Sequence, residues 1–334
     1  MNKHKRKDFT TMYTVPILYI VFNRPTETQQ SFEALRKIKP SKLYISADGP
    51  RQHKPDDFDK SQEVKRIVSK IDWDCEVKTL FHDNNLGCRV APETALEWFF
   101  KNETEGIIIE DDIIPNAGFF EFCQTMLERY RDDPTVFSVN GCSLGYHNPK
   151  EPYGATRYFN MWGWATWRRS YELVQKTWSA YTPEMGVDND PTMKKNLHLP
   201  YIFKGNAKWR QHWQGLFNDV YYKRIDTVWD YQWTYTVLKT SQYCIRPSDN
   251  FVVNIGSGAE ATHHTFDEAP IFNFVYTAPH FSDKKINKLK VDSNFEIFNV
   301  AGIVHSHFFR SFTKKYLKLY FEIKTQKLKS ILKK

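Results

Sequence analysis

The sequence predicts an α/β fold in which a mostly parallel central sheet is flanked by helices. Two observations predict it. Short apolar segments alternate with segments of helical length as far as about residue 140, and this alternation is typical of βαβ units that build a parallel sheet. The apolar segments are also continuous rather than mixed with polar residues, as expected of strands that are buried on both faces.

The first strand is predicted over residues 15–22, which read VPILYIVF. An Asn-Arg-Pro turn follows it, and Thr26 ahead of Glu27 marks the start of a helix that runs through Leu35. A hydroxyl residue before an acidic first turn, with a proline nearby, favours a helix N-terminus. The second strand is predicted over residues 42–47 and ends at Asp48-Gly49-Pro50.

The same alternation predicts the next elements. After a polar loop over 51–59 come a helix over 61–71, a strand over 75–81, a helix over 90–101, a strand over 106–109 and a helix over 119–131. Beyond about residue 140, short strands, turns and aromatic clusters replace the regular pattern. We expect the sheet to continue there with longer loops.

The composition narrows the class of protein. Hydrophobic residues make up 41% of the chain and aromatic residues 16%, and such aromatic side chains serve either core burial or contact with sugars. The net charge is +8, with lysine and arginine clustered near both ends. No signature of a nucleic-acid-binding module is visible, so we expect no nucleic acid partner.

The cysteines and the apolar segments bear on location. None of the five cysteines has a metal-ligand spacing such as C-x-x-C, and we expect free thiols in a reducing cytoplasm. No apolar stretch follows the basic start as in a secretory signal, and no apolar run is long enough to span a bilayer. The expected location is cytoplasmic.

Polar residues follow three of the predicted strands at the point where each ends. They are Asn23-Arg24, Asp48-Gly49 and Glu110-Asp111-Asp112. Ligands of open parallel sheets bind outside the carboxyl ends of the strands. We therefore expect these side chains to share one ligand site.

The Glu110-Asp111-Asp112 triplet directly follows three isoleucines. Three adjacent carboxylates repel one another and raise each other's pKa, and a divalent cation relieves that repulsion. Mg²⁺ typically uses one or two carboxylates together with substrate phosphates, so the triplet suits a nucleotide diphosphate. An acidic turn that caps the following helix is the alternative.

The segment GIIIEDDIIPNAGFFEFCQTMLERYRDDPTVFSVNG resembles the core of the GT-A fold glycosyltransferases. It is most similar to the inverting N-acetylglucosaminyltransferases of N-glycan synthesis and their bacterial relatives in polysaccharide synthesis. The segments VPILYIVFNRP, LYISADGP, WGWATWRR and VWDYQWTY extend the resemblance over roughly residues 14–265. It implies a GT-A (Rossmann-like) fold, a nucleotide-diphosphate-sugar donor, and Mn²⁺ or Mg²⁺ as the cofactor.

The resemblance also implies roles for the strand-end residues. Asp112 would bind the metal, while Asp111 and Glu110 would contact the ribose or the sugar. Arg24 would contact the nucleotide, with a surface arginine before a proline as the alternative. Asp48 would form a hydrogen bond with the nucleotide base, although an Asp-Gly pair is also a strong turn signal.

An inverting transfer needs a base that accepts the proton of the acceptor hydroxyl. Asp230 resembles the base of this family, and burial beside Trp229 and Trp233 would raise its pKa. The same position suits a helix N-cap. Asp226 is the second candidate for the base.

Three further site residues are predicted from the resemblance. Trp164, in the aromatic segment 161–169, would line the pocket for the donor sugar and the acceptor, with a tryptophan-rich core loop as the alternative. Arg89 would lie near the donor. The glycine-rich loop over 254–264 would close over the donor, with His264, or else His263, on the metal; a surface histidine pair is the alternative.

The chain is predicted to divide into a disordered basic lead (1–13), a GT-A domain (14–300) and a C-terminal basic amphipathic helix (301–334). Within the domain, 14–140 form the nucleotide-binding half and 141–300 the acceptor half. The helix, rich in lysine with one apolar face, predicts contact with an anionic membrane surface and suits a lipid-linked glycan acceptor. Packing of the helix on the domain is the alternative.

Two other functions remain possible at this point. A sugar-1-phosphate nucleotidyltransferase would need a glycine-rich loop after the first strand, where this chain has Asn-Arg-Pro-Thr. A peripheral membrane protein that keeps the fold without turnover would not need the triplet or Asp230. The favoured hypothesis is a glycosyltransferase that uses a nucleotide-diphosphate-sugar donor.

Overall fold

The computed structural model describes residues 13–144, 146, 148, 150–198, 206–256, 281–284, 286, 288–296 and 299. The strands of the described part are β1 (Ile17–Val21), β2 (Lys42–Ala47), β3 (Glu76–Phe81), β4 (Glu105–Glu110), β5 (Ile113–Pro115), β6 (Val136–Asn140), β7 (Tyr153–Thr156), β8 (Trp164–Trp167), β9 (Tyr243–Pro247) and β10 (Val252–Asn254). The helices are α1 (Pro25–Ile38), α2 (Asp57–Val68), α3 (Gly87–Asn102), α4 (Ala117–Arg129), α5 (Arg168–Ser179), α6 (Pro191–Asn196), α7 (Asn206–Tyr221) and α8 (Tyr231–Thr240).

Eight of the strands form one sheet in the order β3-β2-β1-β4-β8-β6-β9-β7. Strands β1 to β4 are parallel neighbours, β8 runs antiparallel between β4 and β6, and β7 is antiparallel to β9. Helices flank the sheet. The predicted fold class, GT-A and Rossmann-like with a mostly parallel central sheet, is confirmed by this topology.

The central strand β1 shows why the apolar runs are continuous. Every residue of β1 is buried, and its alternate side chains enter two different cores. Ile17 and Tyr19 belong to the core that contains residues of α1 and α4, whereas Leu18 and Ile20 pack with residues of α3. Because both faces of the strand are covered, a polar residue at any position of β1 would be buried and would destabilise the fold unless it found a hydrogen-bond partner.

Two local predictions were wrong. Helix α2 begins at Asp57 rather than residue 61, because the Asp57 side chain is buried in a network with residues outside the helix. The segment Trp164–Trp167, predicted within a pocket loop, forms β8 in the middle of the sheet. Its residues are buried because the sheet is covered on both sides there.

The fold brings distant segments to one edge of the sheet. The carboxyl ends of β1, β2 and β4 lie side by side, and a small antiparallel sheet of β5 and β10 holds residues 252–254 against 113–115.

The predicted basic lead and the predicted C-terminal helix lie outside the described residues, apart from the last residue of the lead. In the described part of the chain, no helix combines the length and the apolar character needed to cross a membrane.

Candidate active site

A cleft of about 550 Å³ opens at the carboxyl ends of β1, β2 and β4. The starts of α3 and α8 form its other walls. Among its lining residues are six that the sequence predicted for the site: Arg24, Asp48, Glu110, Asp111, Asp112 and Asp230. Arg24 and Asp230, 206 residues apart, therefore line one cleft. The strand-end pattern predicted that Arg24, Asp48 and the triplet would share a site, and the resemblance added Asp230.

Arg24 connects β1 to the acidic triplet. Its Nη1 donates a hydrogen bond of 2.9 Å to Asp112 Oδ2 and lies 3.6 Å from Asp111 Oδ1. Asp111 also accepts a hydrogen bond of 3.1 Å from the backbone N–H of Phe22 through Oδ2. Arg24 is thus a partly buried ion-pair partner, and the surface-arginine alternative is not what the structure shows.

The triplet holds more negative charge than one arginine offsets. Burial raises the pKa of Asp111 to about 7, with Arg24 opposing this shift and Asp112 adding to it. Burial, followed by repulsion from Asp112 and Asp111, raises the pKa of Glu110 well above its ordinary value. Burial also raises the pKa of Asp112, again opposed by Arg24. This electrostatic pattern favours a bound cation.

The hydrogen bonding of the triplet fits an oxygen-liganded cation. Glu110 Oε1 and Asp112 Oδ1 are buried, and neither has a hydrogen-bond partner in the described part of the chain. Buried polar atoms normally have partners. The helix-cap alternative does not account for the triplet, because the N-cap of α4 is Asn116, whose side chain accepts from the Phe119 N–H.

The described residues contain no group of three or more His, Cys, Asp and Glu side chains arranged to hold a metal ion. A cation held by Asp112 would therefore need further ligands, and diphosphate oxygens and water are the ligands that Mg²⁺ usually adds to one or two carboxylates. His264 and His263, the predicted metal ligands of the glycine-rich loop, lie outside the described residues.

The segment after β10 closes against Asp112. The Ile255 N–H donates a hydrogen bond of 2.8 Å to the Asp112 carbonyl oxygen. Gly256 comes next, and a Cβ atom at this position would lie only 2.0 Å from Asp112 Oδ2. The absence of a side chain at 256 is thus what allows the backbone to approach the carboxylate.

Asp230 faces the same cleft from the start of α8. It occupies the N-cap position, yet its side chain caps no N–H of the helix. Burial raises the pKa of the Asp230 carboxyl to about 6. A buried carboxyl that performs no capping fits the predicted base better than the N-cap alternative. Asp226, the second candidate, is exposed and does not line the cleft.

Asp48 also lines the cleft, but its oxygens are engaged. Oδ1 accepts from the N–H groups of Gly49 and Leu86, both at 2.8 Å, and Oδ2 accepts from Asn85 Nδ2 at 2.8 Å and from the Gly87 N–H at 3.0 Å. A carboxylate offers about four lone-pair sites. The structure therefore favours a turn-forming role for Asp48, at the N-terminus of α3, over direct contact with a nucleobase.

Arg51 lines the cleft and was not predicted as a site residue. Its Nε and Nη2 donate to the two oxygens of Asp57 at 2.6 and 2.9 Å, and Asn23 donates to Asp57 Oδ1 at 2.7 Å. The guanidinium also lies 5.3 Å from the centre of the Phe22 ring. These contacts hold a second cation at the cleft. The position of Arg51 directly after Asp48-Gly49-Pro50 could have indicated it as a site residue. It was missed because residues 51–59 were predicted to form a polar loop.

Trp164, a predicted site residue, does not line the cleft. Trp164 is fully buried between the rings of Phe159, Trp229 and Trp233. Its ring has no surface to offer a sugar, so the predicted pocket contact needs correction: Trp162 is the indole of that segment that lines the cleft.

Arg89 belongs to α3, whose cleft-lining residues are Gly87, Cys88, Ala91 and Pro92. The cleft lining does not include Arg89. Its predicted place near the donor is therefore not supported by the structure, because other side chains of the helix face the cleft.

Neither a protein-family model nor a curated protein sequence matches the chain. Solved structures that align with parts of it include the apo form of mouse xyloside xylosyltransferase 1, which is 12% identical and covers 68% of this chain and 82% of that one with a TM-score of 0.33. HddC from Yersinia pseudotuberculosis is 10% identical and covers 47% of this chain and 78% of that one with a TM-score of 0.29.

A 4-diphosphocytidyl-2C-methyl-D-erythritol synthase from Anaerococcus prevotii is 9% identical and covers 50% of this chain and 77% of that one with a TM-score of 0.31. At these identities and TM-scores, the function of the chain has to be inferred from its own cleft.

Proposed function

We propose that the chain is a metal-dependent, inverting glycosyltransferase. It would move a hexosyl or N-acetylhexosaminyl group from a nucleotide-diphosphate-sugar donor to a hydroxyl of a glycan or lipid-linked glycan. The observation that carries the proposal is the pairing of two kinds of acid in one cleft. The acidic triplet at the end of β4 has two buried carboxylate oxygens that accept no hydrogen bond from the described residues. The buried Asp230, which caps no N–H of its helix, lies on the wall formed by α8.

The acids divide the chemistry between them. Asp112 would hold a divalent cation that offsets the charge of the leaving diphosphate, and Arg24 would orient Asp112. Asp230 would accept the proton of the acceptor hydroxyl while its oxygen attacks the anomeric carbon. The bond between that carbon and the diphosphate oxygen then breaks, and the electron pair leaves with the nucleoside diphosphate.

The apolar residues of the cleft would protect the donor from water. Met161, Trp162 and Trp229 line the same cavity as the acids. Exclusion of water strengthens the electrostatic interactions inside an active site and prevents hydrolysis of a reactive donor. Arg51, held by Asp57, would add a second positive charge for the donor phosphates or the nucleotide.

The test is the slow donor hydrolysis that we expect in the absence of an acceptor. UDP-, GDP- and CDP-sugars are incubated with the protein and Mn²⁺, with and without EDTA, and the products are separated by mass spectrometry. We expect a nucleoside diphosphate and a free sugar from at least one donor, and none with EDTA. The absence of metal-dependent cleavage for every donor would exclude the proposal.

Adding pyrophosphate to this assay distinguishes the proposed glycosyltransferase from a nucleotidyltransferase. Adding pyrophosphate to a nucleotidyltransferase and its nucleotide sugar yields a nucleoside triphosphate and a sugar 1-phosphate, because the bond that breaks lies between the two phosphates. A glycosyltransferase breaks the bond between the anomeric carbon and the diphosphate. Detection of a nucleoside triphosphate would therefore contradict the proposal.

Gly256→Ala tests the contact between the segment after β10 and Asp112. The new Cβ would force the Asp112 carboxylate away from its position, and we expect kcat/KM for donor cleavage to fall about 100-fold, the effect of a misplacement of roughly 1 Å at a catalytic site. Gly215→Ala in α7 is the matched control, because a Cβ there meets no atom of the described residues within 4 Å. Wild-type activity in Gly256→Ala would contradict the predicted displacement.

A further inference from the structure

The turn between β3 and α3 carries an amide whose orientation is fixed by its neighbours. Asn85 Nδ2 donates a hydrogen bond of 2.8 Å to Asp48 Oδ2 and another of 2.9 Å to the Gly49 carbonyl oxygen. Both partners can only accept. The nitrogen of the amide must therefore be the atom that faces them, and the assignment of oxygen and nitrogen follows from chemistry.

The acceptor end of this amide remains available. Asn85 Oδ1 accepts no hydrogen bond from the described residues, and Asn85 lines the cleft. Asp48, its neighbour on the same wall, has its four acceptor positions occupied by the turn. Of the two side chains, only Asn85 can accept a hydrogen bond from a ligand without breaking one that the protein already makes.

The turn is rigid enough to present this oxygen in one place. The loop after β2 packs directly on the loop after β3, since a Cβ at Gly49 would lie 2.4 Å from the Asn84 carbonyl carbon. The hydrogen bonds of Asp48 to residues 85–87 join the same two loops. The oxygen of Asn85 is thus preorganised by contacts between two strand ends.

The position of Asn85 suits the nucleobase end of a donor. Neighbouring strands lie about 4.8 Å apart, so β2 is about 10 Å from β4, where the triplet lies. A nucleotide that spans this edge with its diphosphate at the triplet would carry its base toward β2 and β3. Arg51 and Phe22 line the same cleft.

We propose that Asn85, rather than Asp48, recognises the nucleobase of the donor, by accepting a hydrogen bond from a ring N–H through Oδ1. This inference rests on the proposed function. Uracil and guanine carry such a ring N–H on their hydrogen-bonding edge, whereas cytosine and adenine present a lone pair at the corresponding nitrogen. The cleft would therefore prefer UDP or GDP to CDP and ADP.

Calorimetric titration with UDP, GDP, CDP and ADP in the presence of Mn²⁺ tests the preference. We expect UDP or GDP to bind wild-type protein about tenfold more tightly than CDP and ADP, the upper range for one hydrogen bond. Asn85→Ala should reduce this ratio toward one. Asn84→Ala is the matched control, because Asn84 is the exposed residue next to Asn85, and it should keep the wild-type ratio.

A methylated nucleotide removes the same hydrogen bond from the ligand side. If UDP is preferred, 3-methyl-UDP lacks the ring N–H and should bind wild-type protein about tenfold more weakly than UDP; 1-methyl-GDP serves if GDP is preferred. Asn85→Ala should bind the methylated and unmethylated nucleotides equally. This measurement on the wild-type protein also stands if Asn85→Ala fails to fold.

Two outcomes distinguish failure of this inference from failure of the proposed function. If a nucleoside diphosphate binds but neither the methyl group nor Asn85→Ala changes the preference, Asn85 does not read the base while the nucleotide site stands. If no nucleoside diphosphate binds with Mn²⁺, the nucleotide site is itself excluded, and the assignment of Asn85 with it.

Discussion

Asp230→Asn should slow sugar transfer by on the order of 10² to 10⁴ and make the protein more stable at the same time. An amide keeps the shape of the carboxyl but cannot accept the proton, and general-base catalysis typically contributes on the order of 10² to 10⁴ in rate. We expect kcat for transfer to fall by that factor, with the affinity for the nucleoside diphosphate unchanged because Asp230 has no role in holding the phosphates.

The gain in stability follows from the raised pKa. Burial raises the Asp230 pKa from an ordinary 3.8 to about 6 in the folded protein, so the folded state binds this proton more tightly than the unfolded state. As the pH rises from 3.8 through 6, ionisation increasingly favours unfolding. Above pH 6 this penalty is complete and amounts to up to about 3 kcal/mol, at 1.36 kcal/mol per pKa unit.

Thermal unfolding at several pH values measures the effect. Asp230→Asn should unfold at a higher temperature than wild type at pH 8, and the difference should vanish below about pH 3, where the carboxyl is largely protonated in both the folded and the unfolded state. Wild-type kcat should fall as the pH drops below about 6, as Asp230 takes up its proton.

Asp226→Asn is the control for this prediction. Asp226 is exposed, four residues before Asp230, and its removal should leave both rate and stability near wild type. If Asp226→Asn is the inactive variant and Asp230→Asn retains transfer, the assignment of the base is wrong. A lower unfolding temperature for Asp230→Asn at pH 8 would contradict the argument from burial.

Asp112→Asn should remove binding of the cation. The substitution deletes the charge of the carboxylate whose buried Oδ1 accepts no hydrogen bond from the described residues, and it leaves Arg24 with Asp111 as its ion-pair partner in the triplet. Substitutions that only support a metal ligand already cost 10- to 100-fold in affinity or activity, so we expect at least about a 100-fold loss of both here.

Electron paramagnetic resonance of Mn²⁺ in the presence of UDP or GDP measures binding directly, and donor cleavage measures activity. Asp132→Asn, which removes an exposed acid, is the matched control for the change in net charge. Circular dichroism checks whether the Asp112→Asn variant is folded. A folded Asp112→Asn protein with wild-type Mn²⁺ affinity would place the cation site elsewhere in the chain.

The first half of the fold could be predicted from sequence because its determinants are local. Strand β2 was predicted with the bounds that the structure has, and β1, β3 and β4 within two residues, since each is an apolar segment bounded by polar or turn residues. The start of α2 could not be predicted in this way. It depends on Asp57 meeting Asn23, a contact between residues 34 positions apart.

The site residues divide in the same way into those that could be predicted from local sequence and those that depend on the tertiary structure. The placement of Arg24 and the triplet followed from strand ends, whereas the difference between Asp48 and Asp230 required the tertiary structure. Both are acids at positions that local rules assign to a turn or a cap. One has all its oxygens bound by a neighbouring loop, and the other caps nothing, and neither fact is encoded near the residue itself.

The place of β8 in the sheet has a consequence for folding. This strand comes from the second half of the domain, yet it lies between β4 and β6, which both come from the first half. The neighbours of β8 pair over the long separations: β4 pairs with β1 across 90 residues (Ile17 with Ile107) and β6 pairs with β9 across 107 (Val136 with Tyr243). Pairs over such separations form late, because the entropy of closing the intervening loop must be overcome first. The neighbours β1, β2 and β3 can assemble early, while the wall that carries Asp230 forms only with the complete sheet. We therefore expect that neither of the two predicted halves, residues 14–140 and residues 141–300, would form the cleft if it were produced alone.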